Sequence, residues 1–419
     1  MNSVLVYYGQ DGEAAGKDVI EKFKLDKGDI KYIKEKAKDV FDFVGFSFSG
    51  DSMLAVFPKH YFTDAELQSL NTTHVPQKED LCLLYETITR YVKTASSRAK
   101  ANRYIGPEKE YVSDYPFAAF YRIYDYYQRY GLYKESEDRI VEGNKGKISW
   151  KESIHKSQKI VSGGNLIFAP LYVRKKNYQQ VFVTECMAFV IDHTINHFSL
   201  FLSMKRTGYH RGRFDFLANI PYVLQQLREA EQRIFKDINK KLIRDLIIFF
   251  EQYEKKCLGG KIHVKINYFN LVWQNMIEKY LNMHFSRIDN ITDEILFDHT
   301  LSSSPVRFEE KEYHMDASSN DFYIVVDHLG VDRDKLYIFD SKYYFEVNEL
   351  NYKQYSYNEI LRYYFSGISN MYSALILPGR RAQRIHFEMN GSFAGPRIMG
   401  SKIVEQYVEP RDVMQTYVE

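Results

Sequence analysis

Two acidic residues and a lysine stand near the carboxyl-terminal third of the chain in a pattern that can hydrolyse a phosphodiester. Asp321 opens the apolar run Phe-Tyr-Ile-Val-Val, and Leu336-Tyr-Ile-Phe leads into Asp340-Ser341-Lys342. Both runs have the composition of strands, and together they read as a hairpin ending in Asp-x-Lys. Positions i and i+2 of a strand share a face, which puts Asp340 beside Lys342. With Asp321 alongside on the paired strand, that face would hold two carboxylate ligands for a hard divalent cation and one ammonium. The expected ion is Mg2+, for which Mn2+ can substitute. Such a cation polarises a phosphoryl oxygen and activates water, while the ammonium orients the water and steadies developing charge. A strand end with solvated charges is the plainer reading of the same residues.

The flanking segments supply elements to hold these groups. Upstream, Tyr268 to Leu281 places Leu271, Ile277, Tyr280 and Leu281 on one helical stripe, with Glu278 next to it. Downstream, a helix is predicted from Asn351, where Gln354, Asn358 and Leu361 fall at i, i+4 and i+7. Ala374-Leu-Ile-Leu-Pro378 reads as a buried strand and Arg384 to Met389 as another. The order helix, strands, helix, strand, strand predicts an α/β core.

This arrangement resembles the PD-(D/E)xK nuclease core, with Asn320 where the pattern has proline. Two further blocks narrow the resemblance. Phe43-Val-Gly-Phe-Ser-Phe-Ser-Gly-Asp-Ser-Met-Leu-Ala-Val-Phe-Pro-Lys59 reads as a hairpin turning at Ser49-Gly50-Asp51. Arg122-Ile-Tyr-Asp-Tyr-Tyr-Gln-Arg-Tyr-Gly-Leu-Tyr precedes Gly146-Lys-Ile-Ser-Trp150. Both are similar to the LlaJI-type restriction endonucleases, and the first more loosely to McrC. The resemblance implies a Mg2+-dependent endonuclease that cuts double-stranded DNA as part of a restriction system for phage defence. It implies that Gln354 and Glu278 support the metal site, and that a separate McrB-like AAA+ GTPase drives cutting. A cognate methyltransferase would belong to the same system. Two other readings stand beside it: a homodimeric restriction enzyme needing no nucleotide, and a non-catalytic DNA-binding or scaffold subunit that keeps a nuclease fold.

At 419 residues the chain exceeds one ordinary core. Composition shifts divide it into a small β-containing domain over 1–80, a mainly helical domain over 81–260 and the nuclease domain over 261–419. The amino-terminal and middle parts are expected to engage DNA or partner. The chain carries 57 Lys and Arg against 55 Asp and Glu, so DNA contact must come from local patches. The best patch is Lys205-Arg206-Thr-Gly-Tyr-His-Arg211-Gly-Arg213; a second holds Lys93, Arg98, Lys100 and Arg103. The 35 Tyr and 29 Phe are expected mostly in the core, although some could stack on an extruded base.

Other chemistry is excluded or weakly supported. No Gly-rich phosphate loop with Lys-Ser or Lys-Thr occurs, so the chain itself should not hydrolyse nucleotides that way. Cys82, Cys186 and Cys257 have neither zinc nor disulfide spacing. His193 and His197 have a zinc spacing without a third ligand and read as core histidines. The start Met1-Asn-Ser-Val lacks a signal peptide's pattern, and the apolar run Val181 to Ile191 is short and interrupted by Glu185. A soluble cytoplasmic protein without membrane contact is the expectation.

Overall fold

The computed structural model describes residues 4–34, 37–99, 111–179, 181–210, 212–257, 261–289, 292–319, 321–368, 370–390, 392 and 402–419. Asn320, Lys100, Arg103 and Arg211 lie outside the described residues. The protein is a mixed α/β chain. It groups into two units: Met1–Asp114 with Gly259–Glu419, and Tyr115–Leu258. This differs from the three-part division at 80 and 260, and strand pairing is the reason. Strand Lys261–Ile266 inserts into the amino-terminal sheet, pairing antiparallel with Val44–Ser49 and with Tyr111–Ser113. Helix Lys78–Ala99 also packs against helices Phe269–His284 and Pro410–Val418.

The first unit contains two large sheets. The amino-terminal one has the order Leu5–Gln10, Ser52–Phe57, Val44–Ser49, Lys261–Ile266, Tyr111–Ser113. Its first two strands are parallel. The edge strand is covered rather than left open: the Asn71 amide donates to Tyr8 O and accepts from Tyr8 N, both at 2.8 Å, as a neighbouring strand would.

The second sheet has the order Phe308–His314, Tyr323–Asp332, Lys335–Ser341, Asn370–Pro378, Lys402–Val408, Ala382–Glu388. The first three strands are antiparallel, the next two join them in parallel, and the last turns back. Helix Tyr352–Tyr364 makes the crossover between Lys335–Ser341 and Asn370–Pro378. Asn351 caps it by accepting from Gln354 N at 3.0 Å. Its Tyr357 and Leu361 pack on Leu336 and Ile338 of the sheet. Tyr337 and Phe339, pointing the other way, meet the rings of Phe285 and Phe308. Burial on both faces explains why the Leu336 strand is an unbroken apolar run.

The second unit is less purely helical than composition suggests. Helices Phe117–Tyr130, Trp150–Lys156, Phe182–His197, Ile220–Arg233 and Asp237–Lys256 alternate with strands Glu135–Glu142, Lys147–Ile148, Gln158–Ser162, Asn165–Ala169 and Tyr172–Gln179. His193 and His197 stack among Phe189, Tyr115 and Tyr253. Among the described residues, no helix is long and apolar enough to cross a membrane.

Candidate active site

Hairpin register decides which acid meets Asp340. The strands Tyr323–Asp332 and Lys335–Ser341 turn at Arg333-Asp334, with Asp332 opposite Lys335 and His328 opposite Phe339. Arg333 takes the left-handed conformation that the tight turn needs, with φ of 52°. One step beyond His328, the register sets Asp327 opposite Asp340.

A bulge helps aim Asp327. On the other side of its strand, Glu309 pairs with Leu329 but Lys311 pairs with Val326, so Asp327 and His328 together oppose Glu310. An extra residue breaks the two-residue alternation and redirects side chains. Ile324 and Val326 before the bulge, and Leu329 after it, therefore all reach the core cluster under helix Tyr352–Tyr364. Asp327 stands beside that cluster with Asp340, while His328 turns to the opposite face and lies 2.5 Å from Ser341 Oγ through Nε2.

The electrostatics of the pair follow from burial. Asp340 is buried, and neither of its carboxylate oxygens accepts a directed hydrogen bond. Lys342 Nζ forms an ion pair with Oδ2 at 2.5 Å. Asp327 is half-buried and accepts from Ser341 N at 3.1 Å. Its carboxyl is pushed up to about 7, by burial first and then by the charge of Asp340, with Lys353 opposing. Lys353, in the first turn of helix Tyr352–Tyr364, loses some charge preference to burial. The two carboxylates more than restore it and hold its pKa above the usual lysine value. His328, fully buried, is pushed down to about 4, so it is neutral at physiological pH.

Two adjacent carboxylates, one of them with both oxygens lacking a hydrogen-bond partner, are a donor set suited to a hard divalent cation. Among the described residues, no group of three or more His, Cys, Asp or Glu converges to hold a metal. A cation here would take two protein carboxylates and leave its other positions to water and substrate oxygens, the habit of Mg2+.

The structure brings some sequence-derived candidates together and separates others. Asp340 and Lys342 share a face and touch. Asp321 does not join them: it is exposed two residues before its strand begins and accepts from Ser319 Oγ at 2.7 Å. Six residues of extended chain separate it from Asp327, roughly 20 Å. Gln354 is fully buried, its Nε2 donating to Ile338 O at 2.7 Å and to Ser373 Oγ at 2.8 Å. It fastens the helix to the strand two residues before Asp340. Glu278 is half-buried on helix Phe269–His284, which runs into Phe285 on the Tyr337 and Phe339 face, opposite the carboxylates.

Lys205, Arg206 and Arg213 are exposed in the second unit. The loop they occupy is tethered through Thr207, whose N and Oγ1 both bond to Asp192 at 2.8 Å. Sequence reasoning missed Asp327 and Lys353. Counting back from Asp340 across a two-residue turn at Arg333-Asp334 would have found Asp327.

A family model described as LlaJI restriction endonuclease matches residues 43–391. No curated protein matches the chain. A solved chain is similar to this one at 13% identity and a TM-score of 0.36, covering 99% of this chain and 98% of that one. It comes from a refined half-complex of the tetradecameric assembly of Thermococcus gammatolerans McrB AAA+ hexamers with bound McrC.

Proposed function

Because the chain belongs to the LlaJI restriction endonuclease family, we propose that it is a Mg2+-dependent DNA endonuclease, the cutting subunit of a restriction system. The observation that carries this reading is the meeting of Asp327, Asp340 and Lys342 at the end of two paired strands. The antiparallel-then-parallel order of that sheet, with its crossover helix, supports a PD-(D/E)xK arrangement.

Asp327 and Asp340 would hold the cation, with Asp327 in the role expected of Asp321. A bound Mg2+ supplies Lewis acidity toward a phosphoryl oxygen and makes water a better nucleophile. Lys342, held against Asp340, orients the attacking water and offsets charge building on the phosphate. Lys353 adds a second ammonium near the same carboxylates, suited to a phosphate oxygen of the DNA strand. Gln354 keeps the Lys353 helix fixed over the strand. Glu278 is left a supporting role from the opposite layer. Lys205, Arg206 and Arg213, with Arg211, would contact the DNA backbone.

In this reading a separate McrB-like AAA+ GTPase serves as its motor, and a methyltransferase protects the host DNA. The test is cleavage of double-stranded DNA by purified protein, with and without Mg2+, GTP and the partner. Cutting that needs Mg2+ and disappears in Asp340→Asn supports the reading. Undiminished cutting by that variant, in a preparation free of other nucleases, refutes it.

A further inference from the structure

Lys342 is flanked by two residues that point away from it, and both are anchored. Ser341 is held by His328 on the face opposite Asp340. Tyr343 is buried against the rings of Phe269 and Trp273, and its hydroxyl accepts from Lys59 N at 3.0 Å. Lys59 Nζ in turn lies 2.6 Å from Asp11 Oδ2 and 4.3 Å from the centre of the Tyr343 ring. Asp11 follows directly on strand Leu5–Gln10 of the amino-terminal sheet, and Lys59 comes two residues after its parallel neighbour Ser52–Phe57.

The same sheet grips the chain once more, two residues on. His60 Nε2 lies 3.2 Å from Phe345 O, and the rings of His60 and Phe345 meet edge to face. Gly12 has a φ of +82°, and a Cβ there would fall 2.5 Å from the Phe345 ring. Glycine is thus required both by the backbone and by the ring it receives.

A buried aspartate and tyrosine with a half-buried lysine are costly to desolvate and stabilise a fold poorly compared with apolar side chains of the same volume. Burial pushes the Asp11 carboxyl up, and the adjacent Lys59 ammonium works against that rise. What such a cluster does well is fix geometry, because each charge has one satisfactory position.

We propose that Asp11, Lys59 and Tyr343 are positioning residues for Lys342, so that the amino-terminal sheet is an integral part of the nuclease centre. The idea rests on the reading of Asp327, Asp340 and Lys342 as the hydrolytic group. Lys342 N donates to Ile376 O at 2.9 Å, the last bond in register before the chain leaves the sheet. Beyond that bond the direction of the backbone is set by Tyr343, and with it the direction from which the lysine approaches Asp340. Misplacement of a catalytic group by an ångström costs on the order of 100-fold in rate.

The experiment uses the full chain with its DNA substrate, Mg2+ and whatever nucleotide and partner cutting requires. Tyr343→Phe keeps the ring and removes the hydroxyl; Asp11→Asn keeps the shape and removes the charge. Each should lower kcat about 10-fold or more with KM for DNA unchanged. In a Lys342→Ala background Tyr343→Phe should cost nothing further, since it acts through the lysine. Mn2+ affinity measured calorimetrically should stay at the wild-type value, because the carboxylates are untouched.

Wild-type kcat in both variants overturns the proposal, as does a loss that merely follows the folded fraction or repeats in full without Lys342. Asp340→Asn, run in parallel, separates this from the underlying reading. An inactive Asp340→Asn beside a fully active Tyr343→Phe sinks the positioning role alone. An active Asp340→Asn sinks the hydrolytic reading and the proposal with it.

Discussion

The hairpin Val44–Ser49 with Ser52–Phe57 and the hairpin Tyr323–Asp332 with Lys335–Ser341 are built on one plan. Each has two residues at its turn and a further strand on either side. In the first, the register is unbroken and the strands are almost wholly buried. In the second, the outer pairing slips at the position where an acid is needed, and two carboxylates end up side by side. Regular pairing serves packing here; the irregular pairing costs ladder bonds and charge repulsion, and presents chemistry. The contrast teaches where to look for function in this fold: at the place where the alternation of apolar residues loses its phase.

The sharpest way to break that contrast is to remove the acid that defines it. Asp340→Asn should reduce DNA cleavage by about 1,000-fold or more, while thermal unfolding moves little, because relief of the repulsion with Asp327 offsets loss of the Lys342 ion pair. A folded variant that still cuts would erase the functional half of the comparison. Next comes the choice between two aspartates. Asp327→Asn should lose at least about 100-fold in cleavage, and Asp321→Asn less than about twofold. The reverse order of these two rates would return the first ligand to the strand entrance and show the bulge to be incidental.

How much of this could be read from the chain depends on which physical signal each feature leaves. Helix Phe269–His284 and helix Tyr352–Tyr364 announce themselves by apolar spacing, and the second also by its Asn351 cap. Asp340-Ser-Lys342 is legible because two residues apart means one face. Asp327 is not, since the apolar run Tyr323 to Leu329 reads as continuous strand and the acid inside it looks like its solvent side. Only the register, fixed by the turn at Arg333-Asp334, brings it to Asp340. The union of the amino-terminal sheet with strand Lys261–Ile266 leaves still less trace. Pairing across more than 200 residues depends on backbone bonds that carry no residue signature, so composition placed a boundary where the chain re-enters its first sheet.

The regular hairpin should fail in a different manner. Gly45 has a φ of +139°, and a Cβ there would run into the carbonyl oxygen of Val264 on the neighbouring strand. Gly45→Ala should therefore cost about 2–4 kcal/mol of stability, read by denaturant unfolding. A Gly45→Ala protein as stable as the wild type would show that the close approach of the two strands is not what the regular register requires.

Proton linkage gives the smallest effect and the finest distinction, because the two regions should respond to pH with opposite sign. Asp327 binds its proton more tightly folded than unfolded, with a pKa raised from 3.8 to about 7. Its contribution to stability is present in full below about pH 4 and lost as pH rises toward 7. His263, on the strand beside Val44–Ser49, is shifted the other way: burial first, and then Lys265, lower its pKa. The unfolded chain takes up that proton more readily, so His263 leaves stability intact above its unfolded pKa of 6.5 and erodes it as pH falls below. Unfolding free energies of the metal-free protein, measured between pH 5 and 8, should separate the two. Asp327→Asn should flatten the decline on the alkaline side of this range, and His263→Gln the decline on the acid side. If both variants flatten the same limb, the carboxylate pair is not carrying the repulsion that makes its hairpin different.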